Sequence, residues 1–271
     1  MFREGAATAA VAAMPDPWLL RFTPRPQARL RLFCFSSAGS GGAVFRSWLD
    51  ALPPHIDLCA VQLPGRENRL REKPFTSLSV LVESLMQALL PRLDQPFALF
   101  GHSMGAMVAF ELARALQAAD APQPTHLLVS GRRAPHLPET ETPMHRLADD
   151  ALVAEIGRRY GGIPAEVLRH RDLLDLLPGL RADMTVVETH GFVQGAPLRC
   201  PIAAFGGASD ARATPEQLMA WSAHTESGHR LRLFPGGHFY FQDAGVRNAL
   251  VAEIESVLAN MHGSGAGAGP G

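Results

Sequence analysis

The pentapeptide Gly101-His102-Ser103-Met104-Gly105 constrains this chain more than any other feature because of what flanks it. Phe97 to Phe100 reads as a short buried strand, and Met104 to Leu116 carries helical periodicity. A serine between two glycines at a strand-to-helix junction has to sit on a sharp, strained turn, and the glycines let neighbouring backbone approach closely. Serine is a weak nucleophile at neutral pH, so it needs a histidine base whose ring is oriented by a carboxylate. In sheets of this kind those groups follow along the chain in the order serine, acid, histidine.

The later sequence supplies both. Leu231 to Phe234 reads as a strand, Gly236-Gly237 as a tight turn, and His238 follows it. Of the 11 histidines, only this one follows a late strand through a tight turn before the final helix. Asp210 falls just past the run Ile202-Ala203-Ala204-Phe205, at the carboxyl edge where open α/β sheets place their sites. His102 is expected to pack rather than react, and Asp183 to be solvated or to pack within an insertion. Acyl transfer also needs backbone donors for the developing oxyanion. Met104 supplies one, and the loop Ser36 to Gly42 supplies the other, with the Ala38 amide favoured. That loop lacks the lysine-containing phosphate-binding pattern, which disfavours nucleotides.

The chain around these residues alternates apolar runs with helix-like segments. The runs are Leu30 to Phe35, Leu58 to Gln62, Phe97 to Phe100, His126 to Ser130, Ile202 to Phe205 and Leu231 to Phe234. Helical periodicity is also clear from Leu78 to Leu90 and from Val246 to Met261. This pattern predicts an α/β-hydrolase fold, a mostly parallel central sheet flanked by helices. About 70 residues separate Ser130 from Ile202, far more than the ~2–6 residues of an ordinary connection. Helical patterning there, including Val167-Leu168 through Leu180, predicts a helical lid insertion. The expected division is an N-terminal extension 1–27, a core of 28–138 and 191–262, a lid 139–190 and a disordered Gly/Ala tail 263–271.

With 46% hydrophobic residues and a net charge of −1, the 271-residue chain suits one well-filled domain and has no protein-wide field for nucleic acid. Cys34, Cys59 and Cys200 form neither a disulfide framework nor a metal spacing and are expected to be reduced core residues. Glu4 interrupts the Ala-rich start, and no run reaches the ~18 apolar residues of a membrane span. A cytoplasmic monomer, without metal or cofactor, is expected.

Several separated blocks resemble the type II thioesterases that accompany polyketide synthases and nonribosomal peptide synthetases. They are Leu32 to Phe35 with its glycine-rich loop, Val61 to Glu67, Phe100 to Ala106, Val129 to Pro135, Leu177 to Asp183 and Phe234 to Phe241, in family order. The resemblance implies hydrolysis of acyl groups from the phosphopantetheine thiol of acyl or peptidyl carrier proteins. It maps Ser103, Asp210 and His238 onto the family triad and Met104 and Ala38 onto its oxyanion donors. Two positions depart from the family: Ser36-Ser37 with Gly39-Ser40 replaces a Pro-aromatic pair and consecutive glycines, and His190 replaces Tyr.

Met144, Leu147, Val153, Ile156 and Leu173 are expected either to line an acyl channel or to pack the insertion. Arg66, Arg69, Arg71, Arg132 and Arg133 fall at or just past the catalytic edge, where an acidic carrier surface would meet them. Solvated surface arginines account for them equally well. Two competing readings stay open, a general carboxylesterase or lipase using the same triad, and a catalytically silent binding protein of the same fold.

Overall fold

The computed structural model describes residues 16–160 and 172–259. Its centre is a seven-stranded sheet in the order β1-β3-β2-β4-β5-β6-β7. The strands are β1 (Leu19–Leu20), β2 (Leu30–Phe35), β3 (Ile56–Val61), β4 (Phe97–His102), β5 (Leu127–Ser130), β6 (Ile202–Gly207) and β7 (His229–Phe234). Only β1 is antiparallel, pairing Leu19 with Val61; β2 to β7 are parallel. The expected extension therefore contributes an edge strand, and the sheet begins before residue 28.

Helices cover both faces, which is why β2 to β6 read as continuous apolar runs instead of alternating patterns. On one face α1 (Leu78–Leu89) and α2 (Met104–Ala118) pack with Phe33, Leu99 and Val129. On the other, the C-terminal helix packs with Phe45, Trp48, Phe100 and Phe205. Several strands outrun their apolar segments. β4 takes in Gly101 and His102 because these pair with Val129 and Ser130 of β5, and ladder bonds, not side-chain polarity, define where a strand ends.

The long insertion contains α3 (Asp149–Tyr160) and α4 (Asp172–Thr189). Met144, Leu152, Ile156, Leu177 and Met184 form their own small core between them. Residues 167–168 and the tail 263–271, for which helix and disorder were expected, lie outside the described residues. Two further α-helices among the described residues are α5 (Pro215–Met219) and α6 (Ala244–Ala259). Among the described residues no helix is long and apolar enough to cross a membrane.

Candidate active site

Ser103 alone joins β4 to α2, with φ 56° and ψ −113°, a conformation non-glycine residues seldom adopt. Its amide donates to Ser130 O at 2.8 Å, which ties the turn to β5. The flanking glycines are required by space. A Cβ on Gly101 would fall 2.1 Å from Gly105 O, and one on Gly105 would fall 2.1 Å from Phe35 O. The sharp turn thus lifts the serine side chain off the carboxyl edge of the sheet.

Asp210 and His238 come from adjacent loops after β6 and β7. Ala208 and Ser209 donate to Phe234 O and Gly236 O at 2.7 and 2.9 Å. A Cβ on Gly207 would meet Gly237 O at 2.1 Å, so the loops lie directly against each other. His238 Nδ1 stands 2.9 Å from Asp210 Oδ2, and Arg212 N donates to the other carboxylate oxygen at 2.9 Å. Both side chains are buried. With Nδ1–H held by the carboxylate, Nε2 carries the lone pair. Nε2 is buried and has no hydrogen-bond partner among the described residues. Ser103 and His238 line one small chamber, together with Ala38 and Arg132.

Two backbone amides lie in the turns that flank Ser103. Met104 begins α2, so its amide has no acceptor one turn back. Ala38 lies in the turn after β2 and on the chamber wall. The turn is fixed from the insertion: Asp183 of α4 accepts the Gly39 amide at 2.8 Å.

Asp183 also explains Arg66. The expectation of a carrier-facing arginine is corrected here: Arg66 is only 5% exposed and makes a bidentate pair with Asp183 at 2.7 and 3.0 Å. A guanidinium needs such satisfaction when it leaves water. Arg69 is likewise buried, bonded to Glu72 and stacked over Trp18. Met144 is 1% exposed inside the insertion's own core, so it packs and does not line a channel. Arg133 pairs with Glu139. Arg132 remains at the chamber, and burial pulls its pKa below the ordinary guanidinium range. Ile156 reaches the chamber wall, whereas Leu147 and Val153 pack against the insertion core.

Sequence reasoning missed a buried network beneath the histidine. His102 Nδ1 is 3.0 Å from Ser130 Oγ, which is 2.7 Å from Tyr240 Oη. The His102 ring lies 4.9 Å from that of His238. Burial, and then the charge of a protonated His238, push the His102 pKa well down, so it packs as a neutral ring. Tyr240 is two residues after His238 in Gly-Gly-His-Phe-Tyr-Phe. That aromatic spacing was the available signal.

Fold and site together define an α/β-hydrolase with a nucleophilic-serine constellation. The family model for the thioesterase domain matches residues 30–258, and the chain belongs to that family. Linear gramicidin dehydrogenase LgrE of Brevibacillus parabrevis is 40% identical over 248 residues, 90% of this chain and 93% of that protein. The RedJ thioesterase from the prodiginine pathway of Streptomyces coelicolor superposes with a TM-score of 0.80 at 41% identity, covering 92% and 96% of the two chains. The type II thioesterase BorB from the borrelidin cluster gives 0.79 at 38% identity, covering 90% and 97%.

Proposed function

We propose that this thioesterase removes acyl groups from the phosphopantetheine arm of carrier proteins, with Ser103 as nucleophile, His238 as base and Asp210 as its orienting carboxylate. Its type II relatives in biosynthetic clusters support the substrate class. The observation that carries the mechanism is the buried His238 Nε2, without a partner among the described residues, lining one chamber with the strained Ser103 and held from behind by Asp210.

In the first half-reaction His238 Nε2 takes the Ser103 Oγ proton as Oγ bonds to the thioester carbon. The carbonyl oxygen gains negative charge and accepts from the Met104 and Ala38 amides. The C–S bond then breaks, and the sulfur leaves with the proton from His238. In the second half a water gives its proton to His238, attacks the acyl-serine, and the free acid departs as Oγ regains a proton. These steps use no metal or organic cofactor; the phosphopantetheine belongs to the substrate. Residues 139–190 are proposed to act as a lid over the chamber.

The test compares wild type with Ser103→Ala on acyl groups from acetyl to decanoyl, each on a carrier protein and on free pantetheine. The proposal expects activity lost in the variant and carrier-bound thioesters preferred. Equal rates with and without the carrier would point to a general esterase, and activity retained in Ser103→Ala would refute the mechanism.

A further inference from the structure

The proposed hydrolytic steps account for the Asp210 side of His238 but not for its contact with the insertion. Tyr160, which closes α3, lies with its ring 4.9 Å from the His238 ring at an interplanar angle of 55°. It lines the chamber with Ser103 and also packs against the insertion's own core. The other rings beside His238 are His102, likewise at 4.9 Å, and the adjacent Phe239. Among the described residues Tyr160 is therefore the aromatic contact that the insertion makes with the proposed base.

A second connection joins the same elements. Arg212, whose amide donates to Asp210 Oδ1 at 2.9 Å, sets its guanidinium 5.5 Å from the centre of the Tyr160 ring. That guanidinium pairs with Glu141, and the other Glu141 oxygen lies 2.9 Å from Arg159 Nε in α3. Arg159 in turn pairs with Glu155 at 2.6 Å and donates to Thr142 O at 2.8 Å. The loop that carries Asp210 is thus bridged to the last turn of α3 through Arg212, Glu141 and Arg159. One hydrogen bond at Nδ1 leaves an imidazole free to rock, because its outer torsion is soft. The aim of Nε2 matters, since a displacement of ~1 Å at a catalytic group costs about 10² in rate. A ring packed beside the imidazole, and itself tied to the loop of the carboxylate, removes that freedom.

We infer that Tyr160 is a positioning residue for His238, held in place by the Arg212–Glu141–Arg159 bridge, so that the insertion sets the reactivity of Ser103 and not access alone. The inference rests on the triad reading above. Tyr160 takes no proton and forms no bond in the reaction; it acts through the aim of His238 Nε2.

The experiment measures, in the full chain, the rate of Ser103 phosphonylation by diisopropyl fluorophosphate, and kcat and KM for acetyl to decanoyl groups on pantetheine. In phosphonylation Ser103 Oγ bonds to phosphorus, fluoride leaves and His238 takes the proton, so the rate reads serine and base without a carrier or an acyl chain. Tyr160→Ala should slow phosphonylation and lower kcat for every acyl length by about tenfold to a hundredfold, with KM near wild type. Tyr160→Phe, which keeps the ring, should restore most of both rates, and Glu141→Ala should show a smaller loss of the same kind. A changed KM or acyl-length preference with unchanged phosphonylation would mean that Tyr160 only lines the chamber, and would overturn the inference. Tyr160→Phe as slow as Tyr160→Ala would overturn the ring contact as the cause. Unchanged phosphonylation in Glu141→Ala would overturn the bridge, and that variant decides alone if Tyr160→Ala does not fold. Wild type inert toward the probe would remove the triad reading itself, whereas a reactive wild type with equally reactive variants would remove only this inference.

Discussion

Arg66 and Asp183, 117 positions apart, close a buried bidentate ion pair, and Asp183 uses the same carboxylate to hold the Gly39 amide. One side chain of α4 thereby fixes both the segment after β3 and the turn that carries the Ala38 amide. Helix α4 and the proposed oxyanion turn are mechanically linked.

Removing Asp183 leaves a buried guanidinium without its counter-charge. Asp183→Ala should cost about 3–5 kcal/mol of stability, the usual penalty for breaking one side of a buried pair. It should also lower kcat through the freed Gly39 turn. Urea unfolding and steady-state rates check both, and a loss below about 1 kcal/mol with unchanged kcat would show that the clamp is dispensable.

Within the proposed triad, Asp210→Asn should keep the fold and reduce kcat by about 10⁴, the size seen when a triad carboxylate is replaced and the histidine tautomer is lost. Ser103→Ala with His238→Ala should be hardly worse than either alone, because the residues act as one unit. Additive losses in that double variant would contradict a shared mechanism.

Gly105→Ala tests the elbow through sterics alone. The added methyl would meet Phe35 O at 2.1 Å and Ser36 O at 2.7 Å, both backbone atoms. The strand β2 or the helix α2 has to shift, so both stability and activity should fall sharply. A variant with wild-type melting temperature and rate would show that the turn tolerates a side chain.

Acid should weaken the fold. Burial, followed by the adjacent His136, pushes the His224 pKa down from 6.5 to about 4, and burial shifts His102, His126 and His229 the same way. Above 6.5 the His224 ring is neutral folded or unfolded. As the pH falls from 6.5 to about 4, the unfolded chain binds protons that the folded ring refuses, and stability declines across that window. The urea midpoint should therefore be lower at pH 5 than at pH 7.5, and His224→Phe should flatten part of that slope. A midpoint that holds or rises on acidification would count against it.

The three cysteines give a simple chemical readout. All are buried, and burial pushes the thiols of Cys59 and Cys200 up to about 12 and about 11. Because the thiolate is the reactive form, an aromatic disulfide reagent should react with none of them quickly in the native protein and with all three in denaturant. Fast native labelling would disprove their placement.

The sequence by itself determined the elements of the core and named the residues of the proposed site. Strand and helix periods, the glycines around Ser103 and the turn before His238 are local signals, written within a few residues of each other. It did not reveal that Arg66 is buried, that Met144 packs inward, or that His102 joins Ser130 and Tyr240. An arginine on a loop looks the same in sequence whether water or a carboxylate more than a hundred residues away satisfies it. Only tertiary structure decides which polar groups leave water together, because desolvation and its compensation belong to the packed molecule and not to any local segment.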